Sequence, residues 1–359
     1  LAMWRDPLRA EEAAVFQRRL TEGAVEGMPR GETTSILMLD NPDHARIRQP
    51  LSQALYARVA KSRADVERIV DTALDRLQDQ PTFDLMPEFC VPIPIDVIAS
   101  ILGVDHERLG EFRDWSEGVI QSLNPFRDAA QTAHMERARD ALTAYFIETL
   151  AERRANPRDD LFSDMMRTPV NGKLLTDDEL RNFALLVLLG GMDTTAGVTG
   201  NSLLLIDKDP ALRQQLIDNV EQMPKIIEEF LRIAGPGGGL YRRVMRDTEF
   251  HGEQLKEGEK VLMMFWAASR DPKAFADPEK IDIFREENRH MAFGLGPHRC
   301  LGSHHARMMF STMMTAIFTR FPDFQVQWDG VERFEDCGSV YAVRHLPVTF
   351  TPGTRLTPH

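Results

Sequence analysis

Apolar residues recur three or four positions apart along the first two thirds of the chain, with charged residues between them. The pattern is clear in RADVERIVDTALDRL, from Arg63 to Leu77, and in MERARDALTAYFIETLAERR, from Met135 to Arg154. In an α-helix this spacing gathers the apolar side chains on one face. Both segments are therefore predicted to be amphipathic helices that pack one face against a core.

A different pattern runs from Thr176 to about Asp207. Its central stretch, LLVLLGGMDTTAGVTGNSLLL, is apolar nearly all round, which predicts a helix inside the fold rather than on its surface. Thr176 and Glu179 have the spacing of a capping box, in which each side chain satisfies a free backbone N–H at the start of a helix. A helix over the whole segment would be roughly 45 Å long, enough to cross the domain.

Beyond Pro236 the helical periodicity gives way to glycine-rich turns and short apolar runs. KVLMMFWAA, from Lys260 to Ala268, and LPVTF, from Leu346 to Phe350, are typical of β-strands. No low-complexity tract, repeat or Gly/Ser/Pro-rich linker divides the sequence. We therefore expect a mainly α fold with a minor β component, formed as one domain over residues 1–359.

Composition excludes several classes of protein. The chain has 359 residues, 43% of them hydrophobic, with a formal net charge of −12. This acidic balance argues against a nucleic-acid binder, and no apolar run has the length expected to cross a bilayer. The cysteines, Cys90, Cys300 and Cys337, are too scattered for a disulfide framework, and no secretion signal is evident. We expect a protein of the reducing cytoplasm that binds neither nucleic acid nor membrane.

The segment AFGLGPHRCLGSHHAR, residues 292–307, places Cys300 between a glycine-rich loop and the start of a Met-rich helical pattern. Free backbone N–H groups and the positive end of a helix dipole both favour a thiolate at such a position. The glycines would let a flat, bulky group approach the backbone closely. Two other interpretations are open. One is a buried core cysteine, and the other is a zinc site that also uses His298, His304 and His305.

The segment GGMDTT, from Gly190 to Thr195, interrupts the buried helix. Two adjacent glycines cost about 1 kcal/mol each in a helix relative to alanine, and a buried Asp193 needs a partner, so local stability does not explain the sequence. One interpretation is a pocket beside the helix, where Asp193 and the Thr194 hydroxyl hold small polar molecules and pass protons. The other is close packing of a second helix over the glycines.

Charged pairs and clusters are further candidates. Glu229 and Arg232, in EEFLR, lie three apart on one helical face, a spacing that usually gives a weak surface ion pair. The segments DNPDHARIR, residues 40–48, and LYRRVMRD, residues 240–247, each gather cations. Such clusters usually belong to a solvated face, but their arginines can also clamp carboxylates in bidentate fashion.

Taken together and in their order along the chain, these segments resemble the cytochrome P-450 superfamily. The family's cysteine loop, F-x-x-G-x-x-x-C-x-G, is matched by FGLGPHRCLG, its distal A/G-G-x-D/E-T-T by GGMDTT, and its E-x-x-R by Glu229 and Arg232. RDPKAFADP, from Arg270 to Pro278, matches a further family stretch. The resemblance covers nearly all of the chain and implies the family's fold, in which a long central helix crosses over a haem b.

The resemblance also implies roles for individual residues. Cys300 is implied to be the axial iron ligand and Gly302 a cofactor contact, while Asp193 and Thr194 occupy the positions of oxygen activation. Glu229 and Arg232 are implied to have a structural role. The residues implied to anchor the haem propionates are His44, Arg48, His298 and Arg242. For the last of these, Arg242 is preferred to its neighbour Arg243.

The implied activity is that of a haem-thiolate monooxygenase, which inserts one atom of O2 into a small apolar organic substrate and reduces the other to water. The sequence has neither a G-x-G-x-x-G motif after a strand nor a second cysteine cluster, so electrons are expected from a separate ferredoxin and ferredoxin reductase. The alternatives are a peroxide-driven peroxygenase and a haem-thiolate sensor without turnover. Asp193 and Thr194 count against a peroxygenase, which needs no proton relay.

The cysteine segment also suggests where an electron donor binds. It has no acidic residue between Ala292 and Arg307, and its basic and titratable side chains form a local basic patch. Arg299 is expected to point outward because Cys300 points inward, whereas Arg307 either docks the donor or holds its helix against the haem. The patch comprises His298, Arg299, His304, His305 and Arg307.

Three features depart from the family pattern. The N-terminal strands and first helix of relatives are expected to be missing. Pro50 follows Arg48 where relatives continue a helix, and proline costs about 3 kcal/mol inside one, so a helix start at Pro50 is an alternative to a helix that continues through it. Met309 stands where relatives often have a glutamate, two positions after Arg307.

Overall fold

A computed structural model of the chain describes residues 36–37, 39–121, 128–169, 172–333 and 341–351. Helices dominate this part of the chain, and the strands form small antiparallel sheets. The expected mainly α class with a minor β component is therefore confirmed. Cys337 lies outside the described residues.

The helices in the first half of the chain include both segments that the sequence pattern predicts to be amphipathic helices. The amphipathic segment Arg63–Leu77 forms a helix with the bounds of the predicted pattern, and the segment predicted from Met135 lies inside a longer helix. These helices are α1 Asp43–Lys61, α2 Arg63–Leu77, α3 Pro92–Leu102, α4 Leu109–Ile120, α5 Ala129–Ala155 and α6 Leu161–Arg167.

Local signals explain several helix ends. Asp128 and Gln131 form a capping box at the start of α5. α3 begins with Pro92, which lacks only an N–H that a first turn does not use, and ends at Gly103, whose φ of 78° is left-handed. The later helices are α7 Asp177–Asp207, α8 Pro210–Asp218, α9 Met223–Ala234, α10 Phe265–Ala268 and α11 Ser303–Arg320.

The strands are short, and all of their pairings are antiparallel. β1, β9 and β6 form a three-stranded sheet, while β2–β5, β3–β4 and β7–β8 are pairs. The β3–β4 hairpin turns at His251 and Gly252, which have φ of 51° and 86°, as a tight turn of this kind requires. The strands are β1 Thr82–Asp84, β2 Gly239–Arg243, β3 Thr248–Phe250, β4 Glu253–Leu255, β5 Lys260–Met264, β6 Gln325–Val326, β7 Glu332–Arg333, β8 Val343–His345 and β9 Pro347–Thr349.

α7 is the central element of the fold. Its predicted capping box is present: the Glu179 N–H donates to Thr176 Oγ1 over 3.2 Å, and the Thr176 N–H donates to Glu179 Oε2 over 2.9 Å. The helix packs against α3, α4, α5, α9 and α11. Arg46 of α1 also donates to Glu179 Oε1 over 2.6 Å, so the start of the central helix is tied to the helix that carries His44 and Arg48.

The length and composition of α7 correct one expectation. By length and composition alone the helix could cross a membrane, so the expectation that no apolar run has that length is wrong. Its surroundings are those of a core helix, because residues such as Leu188, Leu203 and Ile206 are fully buried against other helices. A single helix of this kind is weak evidence for a membrane span.

The structure also decides two local alternatives. Pro50 lies inside α1, which begins seven residues earlier at Asp43, so the helix continues through the proline rather than starting there. The predicted strand from Lys260 to Ala268 is split, with β5 ending at Met264 and the one-turn helix α10 following it. Periodicity cannot separate a short apolar strand from a short apolar helix, which explains the second error.

Candidate functional site

The loop before Cys300 depends on glycine conformations. Gly294 and Gly296 have φ of 63° and 72°, a left-handed region that L side chains rarely adopt. The loop closes through a 2.8 Å hydrogen bond from the Cys300 N–H to the Phe293 carbonyl. Cys300 therefore sits on a sharp turn just before α11, whose first residue is Ser303.

The Cys300 thiol is largely surrounded by protein but is not part of the fully buried core, unlike Cys90. Burial raises the pKa of the Cys300 thiol, and the Gly302 N–H and the nearby Arg48 oppose that shift. A positively charged metal at this position would instead favour the thiolate. The core-cysteine interpretation therefore describes Cys90 better than Cys300.

A zinc site at Cys300 receives no support. Within the described ranges, no three His, Cys, Asp or Glu side chains come together as a metal-binding group. His305 is buried at 7% exposure, whereas the exposed His304 packs its ring edge-on against Tyr56. The two histidines thus point to different environments and do not converge with Cys300.

Four cationic or titratable side chains from three parts of the chain meet beside the cysteine loop. The His44 and His298 rings lie 4.2 Å apart. Arg48 donates to the carbonyl of Arg299, the residue before Cys300. Burial lowers the pKa of His298, and the charges of Arg242 and Arg48 lower it further. The structure therefore brings together all four residues that the resemblance implied as propionate anchors.

The chemistry of this cluster suits the propionates of a haem. His44 is 2% exposed, and its Nε2 has no hydrogen-bond partner in the described part of the chain. Burial lowers the pKa of His44, with the charges of His298 and Arg48 adding to that effect, so the cluster disfavours its own positive charge. An anionic group would relieve both problems. The cluster thus fits the two carboxylates of a haem, with Cys300 beside it for the iron.

Asp193 and Thr194 lie near the middle of α7. The Thr194 hydroxyl donates to the Gly190 carbonyl over 2.8 Å. Asp193 keeps partial solvent access, but the surrounding protein removes enough water to raise the pKa of its carboxyl to about 6. A carboxyl with this pKa exchanges protons readily near neutral pH.

The two glycines before this pair behave differently. A Cβ on Gly190 would meet no described atom within 4 Å, whereas one on Gly191 would lie 2.5 Å from Ile98 Cδ1 of α3. The helix-packing interpretation therefore applies to Gly191, whereas Gly190 leaves open space beside the helix, as the pocket interpretation requires.

Glu229 and Arg232 form a fully buried ion pair rather than a surface pair. Arg232 donates to both Glu229 oxygens, over 2.7 and 2.8 Å, and the two residues are 1% and 2% exposed. The remaining Arg232 donors bind carbonyls of Ser269, Pro278 and Lys280. The pair ties α9 to the segment before the cysteine loop, which agrees with a structural role.

Two further partners of Glu229 have no signal in the sequence. Arg285 Nε lies 3.2 Å from Glu229 Oε2, and Asn288 Nδ2 donates to the same oxygen over 3.0 Å. Both residues are more than fifty positions away along the chain, and no spacing rule connects them to α9.

The basic patch around Cys300 is smaller than its sequence suggests. Arg299 and His304 are exposed, as expected for Arg299. Arg307 donates to both carboxylate oxygens of Glu228, over 2.6 and 2.8 Å, so an acid from α9 offsets its charge. Burial lowers the pKa of His305 to about 4, which leaves it neutral at pH 7. Of the two roles considered for Arg307, the structure favours holding its helix.

Comparisons with known proteins agree with this geometry. Residues 10–345 match the family model described as Cytochrome P450. The chain is 34% identical over 334 residues to the steroid C26-monooxygenase of Mycobacterium tuberculosis, covering 89% of this chain and 86% of that protein. It is 32% identical over 295 residues to the putative cytochrome P450 YjiB of Bacillus subtilis, covering 81% and 74%.

A solved structure shows the same fold. CYP109E1 from Bacillus megaterium, crystallised with testosterone, superposes with a TM-score of 0.82 at 31% identity, covering 89% of this chain and 87% of that one.

Proposed function

Because the chain belongs to the cytochrome P450 family and is therefore a haem b monooxygenase, we propose that it inserts one atom of O2 into a small apolar organic substrate with electrons from a separate ferredoxin and its reductase. The observation that carries the proposal is the convergence of His44, Arg48, Arg242 and His298 beside Cys300. These residues come from distant parts of the chain, and their charges suit the two carboxylates of a haem.

In this proposal the thiolate of Cys300 binds the iron. The positive φ angles of Gly294 and Gly296 and the small size of Gly302 let the macrocycle approach the loop backbone. His44, Arg48, Arg242 and His298 hold the propionates. The bound haem supplies the iron at which O2 is activated, and a thiolate ligand increases electron density there to assist cleavage of the O–O bond.

In this reaction Asp193 supplies protons, and Thr194 holds the water through which they pass. With a pKa of about 6, the Asp193 carboxyl both accepts and releases a proton near neutral pH. The Thr194 hydroxyl already donates to Gly190, so its oxygen lone pairs are available to accept a hydrogen bond from water or substrate. This acid and alcohol pair supports the monooxygenase over a peroxygenase, which receives its oxygen already reduced.

The electron donor is proposed to bind beside the cysteine loop. Arg299 is exposed next to Cys300, where an acidic ferredoxin would be steered to it. The further proposals are that residues 1–359 form one domain, since no linker divides them, and that the protein works in the cytoplasm, since its few scattered cysteines suit a reducing compartment.

The substrate is proposed to be apolar. A relative is named as a steroid C26-monooxygenase, and a solved relative was crystallised with testosterone, so steroids belong among the first compounds to screen, together with other lipids, terpenoids and aromatic compounds. Binding is read from the spin-state change that follows displacement of iron-bound water. Product formation with a ferredoxin, its reductase and NAD(P)H then separates an enzyme from a sensor.

The assignment of the ligand is tested by Cys300→Ser, with Cys90→Ser as the matched control. The reduced holoprotein with CO should show the red-shifted Soret band of thiolate ligation, and Cys300→Ser should lose that band. Cys90→Ser should keep it, because Cys90 lies in the core at 0% exposure. Retention of the band by Cys300→Ser would refute the assignment.

A further inference from the structure

Glu228, the residue before the structural Glu229, forms a second charged network on α9. Arg307 Nε donates to its Oε1 over 2.6 Å and Arg307 Nη2 to its Oε2 over 2.8 Å, while His290 Nε2 lies 3.0 Å from Oε2. Burial disfavours ionisation of this carboxyl, but the hydrogen bonds from His290 and Arg307 outweigh it and lower the pKa of Glu228 to about 2. The Glu228 side chain is therefore a carboxylate at any physiological pH.

The protonation of His290 follows from its neighbours. The Ala292 N–H donates to His290 Nδ1 over 3.2 Å, so Nδ1 is an acceptor. The ring proton is then assigned to Nε2, which donates it to Glu228. Glu228 thus connects three elements: α9, the segment just before the cysteine loop, and α11 just after it.

This network surrounds the first residue of the cysteine motif. The guanidinium carbon of Arg307 lies 4.5 Å from the centroid of the Phe293 ring, and the His290 ring centroid lies 5.9 Å from it. The Phe293 carbonyl accepts the Cys300 N–H over 2.8 Å. The position of Phe293 therefore fixes the backbone of the cysteine, and Arg307 and His290 fix the ring of Phe293.

The network also sets the charge near the thiol. The positive charge of Arg307 lies against the ring of Phe293, whose carbonyl accepts the Cys300 N–H. Glu228, bound to the same guanidinium, offsets that charge at short range. Removing the carboxylate while keeping Arg307 leaves an uncompensated positive charge beside the loop.

We infer that Glu228 is a positioning residue for the cysteine loop, which holds Arg307 and His290 around Phe293 and, by offsetting the charge of Arg307, keeps the reduction potential of the bound haem low. The inference rests on the proposed function, because it takes Cys300 as the iron ligand. Hydrogen bonds and charges in the surroundings of a metal ligand are established means of tuning a reduction potential.

The test is the midpoint potential of the holoprotein in Glu228→Gln, with Glu221→Gln as the control. Glu221 is an exposed acid just before α9, so its variant makes the same change in net charge away from the network. Glu228→Gln should keep the thiolate CO band and shift the ferric–ferrous equilibrium toward the ferrous form by about threefold to tenfold, where tenfold is about 59 mV for a one-electron couple. Glu221→Gln should leave the potential unchanged.

Two results would overturn the inference: an unchanged potential in Glu228→Gln, or an equal shift in both variants. Arg307→Lys separates charge from packing, because lysine keeps the positive charge but cannot make the bidentate contact. This variant should shift the potential less than Glu228→Gln does. A larger shift in Arg307→Lys would contradict the charge effect. If Glu228→Gln does not yield holoprotein, Arg307→Gln carries the test with the opposite sign. Absence of the thiolate CO band in the wild-type holoprotein would instead refute the proposed function.

Discussion

Gly191 of α7 packs so closely on Ile98 of α3 that a side chain at position 191 would have to displace the end of the isoleucine, since a Cβ on Gly191 would lie 2.5 Å from Ile98 Cδ1. Ile98 is 1% exposed and has little space to move away. Gly190, one position earlier, has no described atom within 4 Å of the corresponding point. Adjacent glycines in one motif therefore serve different purposes, one for helix packing and one for open space beside Asp193 and Thr194.

Alanine substitutions should distinguish the two glycines. Gly190→Ala should stabilise the protein by up to about 1 kcal/mol, because alanine is the better helix former and its methyl group meets nothing. Gly191→Ala gains the same propensity but overpacks against Ile98, at about 1–3 kcal/mol. Gly191→Ala should therefore be less stable than Gly190→Ala by about 1–3 kcal/mol in denaturant unfolding of the two apoproteins. Equal midpoints and slopes would contradict the packing of α7 on α3.

Breaking the buried ion pair of α9 should be far more harmful than breaking a surface pair. Arg232→Leu removes the bidentate partner of Glu229 and leaves Arg285 as the cation that still pairs with this buried carboxylate. Breaking a buried pair costs about 3–5 kcal/mol, so the variant should yield protein without haem or no soluble protein. Arg181→Leu is the control, because Arg181 pairs with the exposed Asp178 at the same spacing and should cost at most about 1 kcal/mol. Haem content and soluble yield measure both effects; full haem occupancy in Arg232→Leu would show that the pair is dispensable.

His305 should make the protein less stable in mild acid. Its folded-state pKa of about 4 lies below the value of about 6.5 for an unfolded histidine, so the unfolded chain binds a proton that the folded protein does not. Stability from this group is therefore fully present above pH 6.5 and is lost as the pH falls from 6.5 toward 4.

Replacing His305 should remove this dependence. Between pH 7 and pH 5, the free energy of unfolding of His305→Leu should rise relative to wild type by about 2 kcal/mol. His304→Leu is the control, because it makes the same substitution at the neighbouring histidine, which is exposed. Parallel pH profiles for wild type and His305→Leu would disprove the buried neutral state of His305.

Thr194→Ala should uncouple electron consumption from product formation. The variant should retain haem and the spin-state change with a compound from the binding screen, but its reducing equivalents should end in hydrogen peroxide. Product per NAD(P)H should fall at least about tenfold, since positioned proton transfer typically contributes 10²–10⁴-fold. Thr199→Ala is the control, because the Thr199 hydroxyl also donates to a carbonyl of α7 but is fully buried. Equal coupling in both variants would remove Thr194 from the reaction.

Arg299→Glu should slow reduction by an acidic ferredoxin without changing the CO spectrum. Arg299 is exposed next to Cys300, so reversing its charge repels the donor most strongly at low ionic strength. Arg139→Glu makes the same charge change at an exposed position on α5 and should have little effect. Stopped-flow reduction rates across a salt series give the comparison, and identical series for both variants would exclude docking at Arg299.

Local signals account for the parts of the structure that were predictable. The periodicity of Arg63 to Leu77 and the capping box of Thr176 with Glu179 each lie within a few turns of one helix, and both are present. The spacing around Cys300 likewise fixed the turn, because the glycine conformations it needs are encoded in the same ten residues.

The contacts that could not be predicted join distant residues. Arg285 reaches Glu229 and Arg307 reaches Glu228 only because the segments fold back onto α9, and neither pairing leaves a trace in local spacing. The same limit explains why Gly190 and Gly191 look alike in sequence and why Arg307 was counted as part of an exposed basic patch. The start of α1 is ambiguous in the sequence for another reason. Proline at position 50 disfavours a helix interior, but packing in the folded protein maintains the helix through it.

The contact from Arg48 to the Arg299 carbonyl spans 251 residues and so has a consequence for biosynthesis. At translation rates of about 5–20 residues per second, about 13–50 s pass between the synthesis of the first of these residues and that of the second. During that interval the ribosome-bound chain holds only part of the cofactor site, because Arg48 has been made and Cys300 has not. Insertion of the cofactor is thereby confined to the last stage of synthesis or to the released chain.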